Sequence, residues 1–369
     1  MDSPQWLLFS IIFNTTRSVL EVMLASTISP ETFVYDKRHN IKLDAYLPTS
    51  GIKDKSHLPV FVHFHGGGIV AGSRADTFLP AWITSTLPSK GFLVISADYR
   101  LLFPSSADAI ITDVHTLFSY IASPRSDLSV VLFSQGFAQD TTRIVVSGES
   151  GGNYPAKAAA TLASVQPRPI AWVDRCGQGG DWLSDHWVKP YNVLPFTPFI
   201  IYDKAKALKI EREAAKGGEG QVVVKSANRM VDGKIQDDLG RFNLFIYWLE
   251  QGLFVDRLLG LPGISAKLAT VSHDERLSLI PTDKRHILLP ITRSTCPIFV
   301  VHGTADGMVP FSDSQAIAKE MEEQGLEVEK RWREGDSHGF FNPVTFQPSA
   351  GVEELVDDIL SWVGNKVGI

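Results

Sequence analysis

Eight short apolar, β-branched runs punctuate this chain: Thr32–Asp36, Ile41–Leu47, Pro59–Phe64, Phe92–Ala97, Arg143–Ser147, Ile170–Asp174, Pro297–His302 and Glu327–Arg333. Between and after them lie stretches with helical spacing of apolar residues: Ala75–Leu87, Ala107–Ala122, Gly151–Ser164, Gln236–Gln251, Ser312–Gln324 and Val352–Val363. No helical stretch separates the first two runs, so they read as an antiparallel pair. The later runs alternate with helices, which requires parallel strands joined by helical crossovers and a sheet covered on both faces. The chain is therefore an α/β protein.

The alternation stops between about residues 176 and 294. That stretch opens with CGQGGDWLSDHW, and Trp182, Trp187, Phe242, Phe245, Tyr247 and Trp248 need apolar surfaces to pack on. An insertion of this kind between two sheet strands reads as a helical cap over the strand ends. Within it, Lys204–Glu219 is charged and Gly-rich at its end, and reads as a solvated, mobile face. The expected division is an N-terminal helical segment (1–30), a core made of 31–175 and 295–369, and a cap at 176–294.

The chain has 369 residues, of which 44% are hydrophobic and 21% charged. That size and balance suit a globular protein with a large core and exclude wholesale disorder. The net charge of −6 comes without any long basic run, so the footprint of a nucleic-acid binder is missing. Only two cysteines occur, Cys176 and Cys296, and both read as reduced, packed thiols. The apolar run Trp6–Phe13 is too short to span a bilayer and lacks the basic start of a signal peptide. Residues 5–26 read instead as an amphipathic helix, and a cytoplasmic location follows as the expectation. The sequon at Asn14 stands alone and carries no weight.

Gly148-Glu149-Ser150-Gly151-Gly152 follows one strand directly and opens a helix. A nucleophilic serine needs a tight strand-to-helix turn, where neighbours cannot carry a Cβ and the first helical N–H groups face developing negative charge. At average Gly and Ser usage of roughly 7% each, the pattern alone arises by chance in about one chain in ten of this length. Its context gives it meaning. His65-Gly66-Gly67-Gly68 follows another strand, with glycines that let backbone N–H groups point inward as oxyanion donors. Asp306 and His338 each lie just past a later strand, in HGTAD and GDSHGF. The chain order Ser150, Asp306, His338 is the order of a nucleophile, an orienting acid and a base at one sheet edge.

These segments, with DYRL at 98–101, resemble the α/β-hydrolase fold family, and more narrowly its hormone-sensitive-lipase-like esterase branch. The resemblance implies a mostly parallel eight-stranded sheet flanked by helices, with a helical cap. It implies Ser150 as nucleophile, His338 as general base and then acid, and Asp306 as its orienting carboxylate. Gly67, Gly68 and Gly151 would supply the oxyanion N–H groups. Asp98 and Arg100 match positions that are structural in the family, and Glu149 reads as a support of the turn. LFPSSADA after DYRL, Pro155 in the helix after Ser150, and the GQGGDWLSDHW loop depart from the family pattern. They bear on the substrate pocket, and the last is similar to fungal natural-product hydrolases.

The expected function is cleavage of carboxylic esters through an acyl-enzyme. An alternative keeps the acyl-enzyme and changes the acceptor, giving an acyltransferase, thioesterase or lactone-forming or lactone-opening enzyme on a polyketide-like intermediate. A remote alternative is a non-catalytic ligand receptor on the same scaffold. The partner in each case is a small-molecule ester, thioester or lactone. No HExxH, CxxC or EF-hand pattern and no dinucleotide or P-loop pattern occurs, so neither cofactor nor metal is expected. His63, His65 and His302 read as hydrogen-bonding residues, whereas His186, His273 and His286 lie in the insertion within potential reach of substrate.

Overall fold

The computed structural model describes residues 28–48, 57–194, 201–217, 222–231, 234–341 and 348–369. The helix expected at 5–26 and the Asn14 sequon lie outside the described residues. All eight anticipated strands form and join one sheet. In chain order they are β1 (Glu31–Asp36), β2 (Ile41–Tyr46), β3 (Leu58–Phe64), β4 (Leu93–Ala97), β5 (Gln139–Glu149), β6 (Ala171–Arg175), β9 (Ile298–Gly303) and β10 (Val328–Arg333). Two further strands, β7 (Asn228–Val231) and β8 (Lys234–Asp237), pair separately as a hairpin.

The spatial order is β1-β2-β4-β3-β5-β6-β9-β10. Only β2 runs against its neighbours, which makes the expected antiparallel pair with β1. The other neighbours are parallel. Every residue of β3, β4, β6 and β9 is buried, as strands covered on both faces must be. Their side chains alternate between two cores. Val60, Val62, Phe64 and Trp172 pack with the helices Ala107–Ala122 and Asn153–Thr161, while Phe61 and Val173 pack with the helix Val352–Val367.

Chain order reverses at β3, which has β4 on one side and β5 on the other. Loops leaving the carboxyl ends of strands at such a reversal diverge and leave a crevice. The glycines after β3 and Ser150 after β5 flank it, because the register pairs Phe64 with Gly148.

Three local expectations need correction. Ala75–Leu87 is helical only from Trp82 onward, because Pro80 disfavours helix in the residue before it and Asp76 instead receives the backbone and side chain of Asn228. The helix expected from Gln236 begins at Phe242. Asp237 ends β8 and its carboxylate accepts the N–H groups of Arg241 and Phe242, which caps the new helix. Lys204–Gly217 is a helix rather than a loose charged face. Ala207 and Ala214 are buried, and Glu211 accepts from the Trp248 indole at 2.7 Å and from Arg257 at 3.0 Å. Among the described residues no helix is long and apolar enough to cross a membrane.

The DYR segment is structural, as expected. Arg74 pairs with Asp98 at 2.6 Å and Asp44 at 2.9 Å, and Arg100 pairs with Asp113 at 2.7 Å. Asp113 is 1% exposed, so its removal leaves the Arg100 guanidinium largely buried without its counter-charge. Asp113→Ala is expected to destabilise the fold by about 3 kcal/mol, read from the urea midpoint of unfolding. An unchanged midpoint would contradict this role.

Candidate active site

Ser150 holds φ +53° at the junction of β5 and a single 3-10 turn, a conformation that costs a non-glycine residue on the order of 1–3 kcal/mol. Its flanks tolerate no side chain. A Cβ on Gly152 would stand 2.1 Å from the Phe64 carbonyl oxygen, and one on Gly151 would stand 2.6 Å from the Gly68 nitrogen. The close approach brings the amides of the two glycine loops together beside Ser150. Gly67 at φ +102° bends the upper loop, its carbonyl accepting from Val70 and Ala71. Glu149 is held by Arg175, which also lies over Phe340 at 5.6 Å, so the turn is braced from β6.

His338 Nε2 lies 3.0 Å from Ser150 Oγ, and His338 Nδ1 lies 2.7 Å from Asp306 Oδ2. The loops that carry Asp306 and His338 are stitched together. Thr304 N–H donates to the Arg333 carbonyl and Ala305 N–H to the Asp336 carbonyl, and Gly303 packs directly on Asp336. The three residues named from sequence for the reaction therefore meet at one point, and Gly151, which follows Ser150, packs against Gly68.

Asp306 is 9% exposed and well satisfied. Oδ1 accepts from Met308 N–H at 2.8 Å and Val309 N–H at 3.1 Å, and Oδ2 faces His338 and also His302 Nε2 at 3.1 Å. Burial works to raise this carboxyl, but the charge of His338 and the hydrogen bonds from His302 and His338 outweigh it and hold it well below the usual carboxylate range. An ionised carboxylate only accepts, so Nδ1 of His338 carries the proton and Nε2 presents its lone pair to the serine hydroxyl. For His338 burial works downward, while Asp306 and the neighbouring Cys176 raise its pKa well above the ordinary value.

Sequence reasoning assigned His302 to nearby groups, and it bonds Ser314 Oγ at 2.7 Å and the Val309 carbonyl at 3.1 Å as well as the carboxylate. It missed Cys176. The thiol of Cys176, an imidazole nitrogen of His338 and a carboxylate oxygen of Asp306 lie within 4.8 Å of one another, which is also a spacing a metal ion could use. The His338–Asp306 hydrogen bond already occupies two of these groups. Both cysteines are free and buried, as expected. His65 stacks on Tyr99 with ring centroids 4.5 Å apart. His273 and His286 pair with Asp181 and Asp108, and His186 Nδ1 lies 2.7 Å from the Tyr191 hydroxyl. Phe245, from the helix Phe242–Gln251, covers the glycine loop so closely that a Cβ on Gly68 would meet its ring at 2.4 Å.

NMR titration of the His338 ring is expected to give a midpoint above the ordinary 6.5, falling in Asp306→Asn as the raising charge is removed. A midpoint at or below 6.5 in the unaltered protein would contradict this electrostatic picture.

Several known proteins resemble this chain in sequence or in fold. A family profile described as BD-FAE matches residues 43–171, and one described as the prolyl oligopeptidase family matches 270–369. A non-reducing polyketide synthase of Penicillium brevicompactum, mapC′, is 26% identical over 337 residues, covering 86% of this chain and 15% of the synthase. Another from Stereocaulon alpinum, atr1, is 23% identical, covering 85% of this chain and 12% of that protein. The chain thus spans only a small part of these relatives. Tuliposide A-converting enzyme b1 of Tulipa gesneriana is 26% identical over 155 residues, covering 39% of this chain and 40% of that enzyme. Among solved structures, an α/β hydrolase superfamily protein from Enterococcus faecalis has 19% identity and a TM-score of 0.56, covering 92% of this chain and 100% of that one. Esterase 2 of Thermogutta terrifontis, phosphonylated by sarin, has 19% identity and a TM-score of 0.53, covering 92% and 96%. Likeness that survives over nine-tenths of the chain at so low an identity resides in the fold itself: this chain has the α/β-hydrolase fold.

Proposed function

We propose that the protein is a serine hydrolase that cleaves carboxylic esters through an acyl-enzyme. The observation that carries this reading is the Ser150 Oγ–His338 Nε2–Asp306 alignment, with contacts of 3.0 and 2.7 Å. Serine is a poor nucleophile until a base removes its proton, and the base works only when oriented. In this reading His338 Nε2 takes the Ser150 proton as Oγ bonds to the ester carbonyl carbon. The carbonyl π electrons move to oxygen, where the N–H groups of Gly68 and Gly151, with Gly67 shaping the loop and adding its own N–H, stabilise the oxyanion. Collapse expels the alcohol, which leaves with the proton from His338. Water then attacks the acyl-enzyme by the same relay, and Ser150 is restored. Asp306 stays ionised throughout and stabilises the imidazolium. Each oxyanion donor is worth about 10²–10³ in turnover.

The esterase neighbours of known structure support a small-molecule ester as substrate, and the sarin adduct described for the Thermogutta enzyme supports organophosphorus probes here. Residues 176–294 serve in this reading as the cap that shields the acyl-enzyme. The polyketide synthase relatives favour a second reading, in which an enzyme-bound thioester is the acyl donor and a hydroxyl or amine replaces water. Product analysis of a thioester substrate with and without an added alcohol separates the two.

Ser150→Ala is expected to lower turnover of 4-nitrophenyl butyrate by on the order of 10⁶ without altering circular dichroism. Full activity in that variant would remove the mechanism. The base must be neutral to act, and a raised His338 pKa keeps it protonated to higher pH. The kcat/KM of the unaltered enzyme is therefore expected to rise through that pKa on the alkaline side of 6.5. In Asp306→Asn the onset should move to lower pH while the plateau falls by about 10⁴. An onset that does not move, with the plateau intact, would contradict the role given to Asp306.

A further inference from the structure

The loop after β6, Gly177–Trp182, has its backbone secured from several sides. Gln178 N–H donates to the Ser150 carbonyl at 3.0 Å. Gly179 and Gly180 N–H donate to Asp313 Oδ2 at 2.8 and 3.1 Å, and the Gly179 carbonyl accepts from Lys157 Nζ at 3.0 Å. Two side chains of the same loop, Gln178 and Trp182, are left open. Gln178 is fully buried, yet among the described residues neither its amide oxygen nor its amide nitrogen has a hydrogen-bond partner. The Trp182 indole N–H, in a residue 2% exposed, is also without one. Buried polar atoms are nearly always paired, so three orphans on one rigid loop attached to the nucleophile's own peptide call for a ligand.

We propose that this loop is a recognition subsite in which the Gln178 amide and the Trp182 indole N–H bind oxygen substituents on a flat acyl group. A subsite of this kind rests on the hydrolase reading above. A donor-only indole needs an acceptor, and the amide needs one of each, which a ring hydroxyl or a ring carbonyl beside a hydroxyl supplies. The walls are aromatic. Trp182 stacks on Phe254 with centroids 5.5 Å apart and meets Tyr154 edge-on at 5.9 Å. Tyr154 stands four residues after Ser150, so the aromatic wall and the nucleophile share one turn of chain. A flat body fits such walls better than a branched aliphatic chain does. The securing of the backbone keeps the polar atoms oriented before the ligand arrives, which is what a selective site needs.

The test compares 4-nitrophenyl 3,5-dihydroxybenzoate with 4-nitrophenyl benzoate, which differ only in the two oxygens. The enzyme is expected to favour the dihydroxy ester in kcat/KM by on the order of tenfold or more. Gln178→Leu should lower that ratio at least tenfold, and Trp182→Phe, which keeps a ring and loses the N–H, should lower it several-fold. The ratio is independent of the fraction of folded enzyme, so partial misfolding does not imitate the result. A ratio near one in the unaltered enzyme, or an unchanged ratio in Gln178→Leu, overturns the subsite. Failure to turn over either ester counts against the hydrolase reading alone. The subsite is then read by calorimetry of 3,5-dihydroxybenzoate with Ser150→Ala and with Ser150→Ala/Gln178→Leu. Tenfold weaker binding in the second sustains it, and equal binding or none in both overturns it.

Discussion

The Asp306 carboxylate is the point on which the site depends. It receives the N–H groups of Met308 and Val309, the ring of His302 and the ring of His338, and so remains charged in a place where burial alone would neutralise it. That fixed charge chooses the imidazole tautomer, and the tautomer decides whether Nε2 can receive a proton from Ser150. The same charge raises His338, so orientation and basicity have one source. A stronger base is gained, and a shift of its working range toward alkaline pH comes with it.

The sheet brings these groups together without any of them being near in sequence. Ser150 leaves β5, Asp306 leaves β9 and His338 follows β10, all parallel, so their loops emerge at the same edge. The reversal of strand order beside β3 places the glycine loop against the serine turn. Glycine is required there by contact with backbone atoms, as the 2.1 Å approach at Gly152 and the 2.6 Å approach at Gly151 make plain. The strain at Ser150 is held in place by the bonds of its neighbours, including the one from Gln178 to its carbonyl.

Much of this was legible in the residues. The strands were visible because full burial on both faces demands dense apolar, β-branched runs, and the βαβ alternation then dictated that their carboxyl ends coincide. Asp306 and His338 could be singled out because each stands a few residues beyond such a run. What escaped depended on contacts distant in sequence. Nothing near Asp237 announces that it caps the helix from Phe242, and the charge of Lys204–Gly217 conceals the Ala207 and Ala214 face that packs inward. His302 and Cys176 resemble ordinary strand-end residues until the fold brings them beside Asp306 and His338. The GQGG run at 177–180 was noticed as a departure, but its meaning came from the contrast between a secured backbone and unpartnered Gln178.

The central claim is that one hydroxyl is made nucleophilic by one imidazole. Peptide mapping by mass spectrometry after brief treatment with a fluorophosphonate measures this most directly, because the probe reports nucleophilicity independently of the natural substrate. The account predicts a single adduct on Ser150, whose formation slows by orders of magnitude in His338→Ala. Adduct on another residue, or labelling of Ser150 at an undiminished rate without His338, would contradict it.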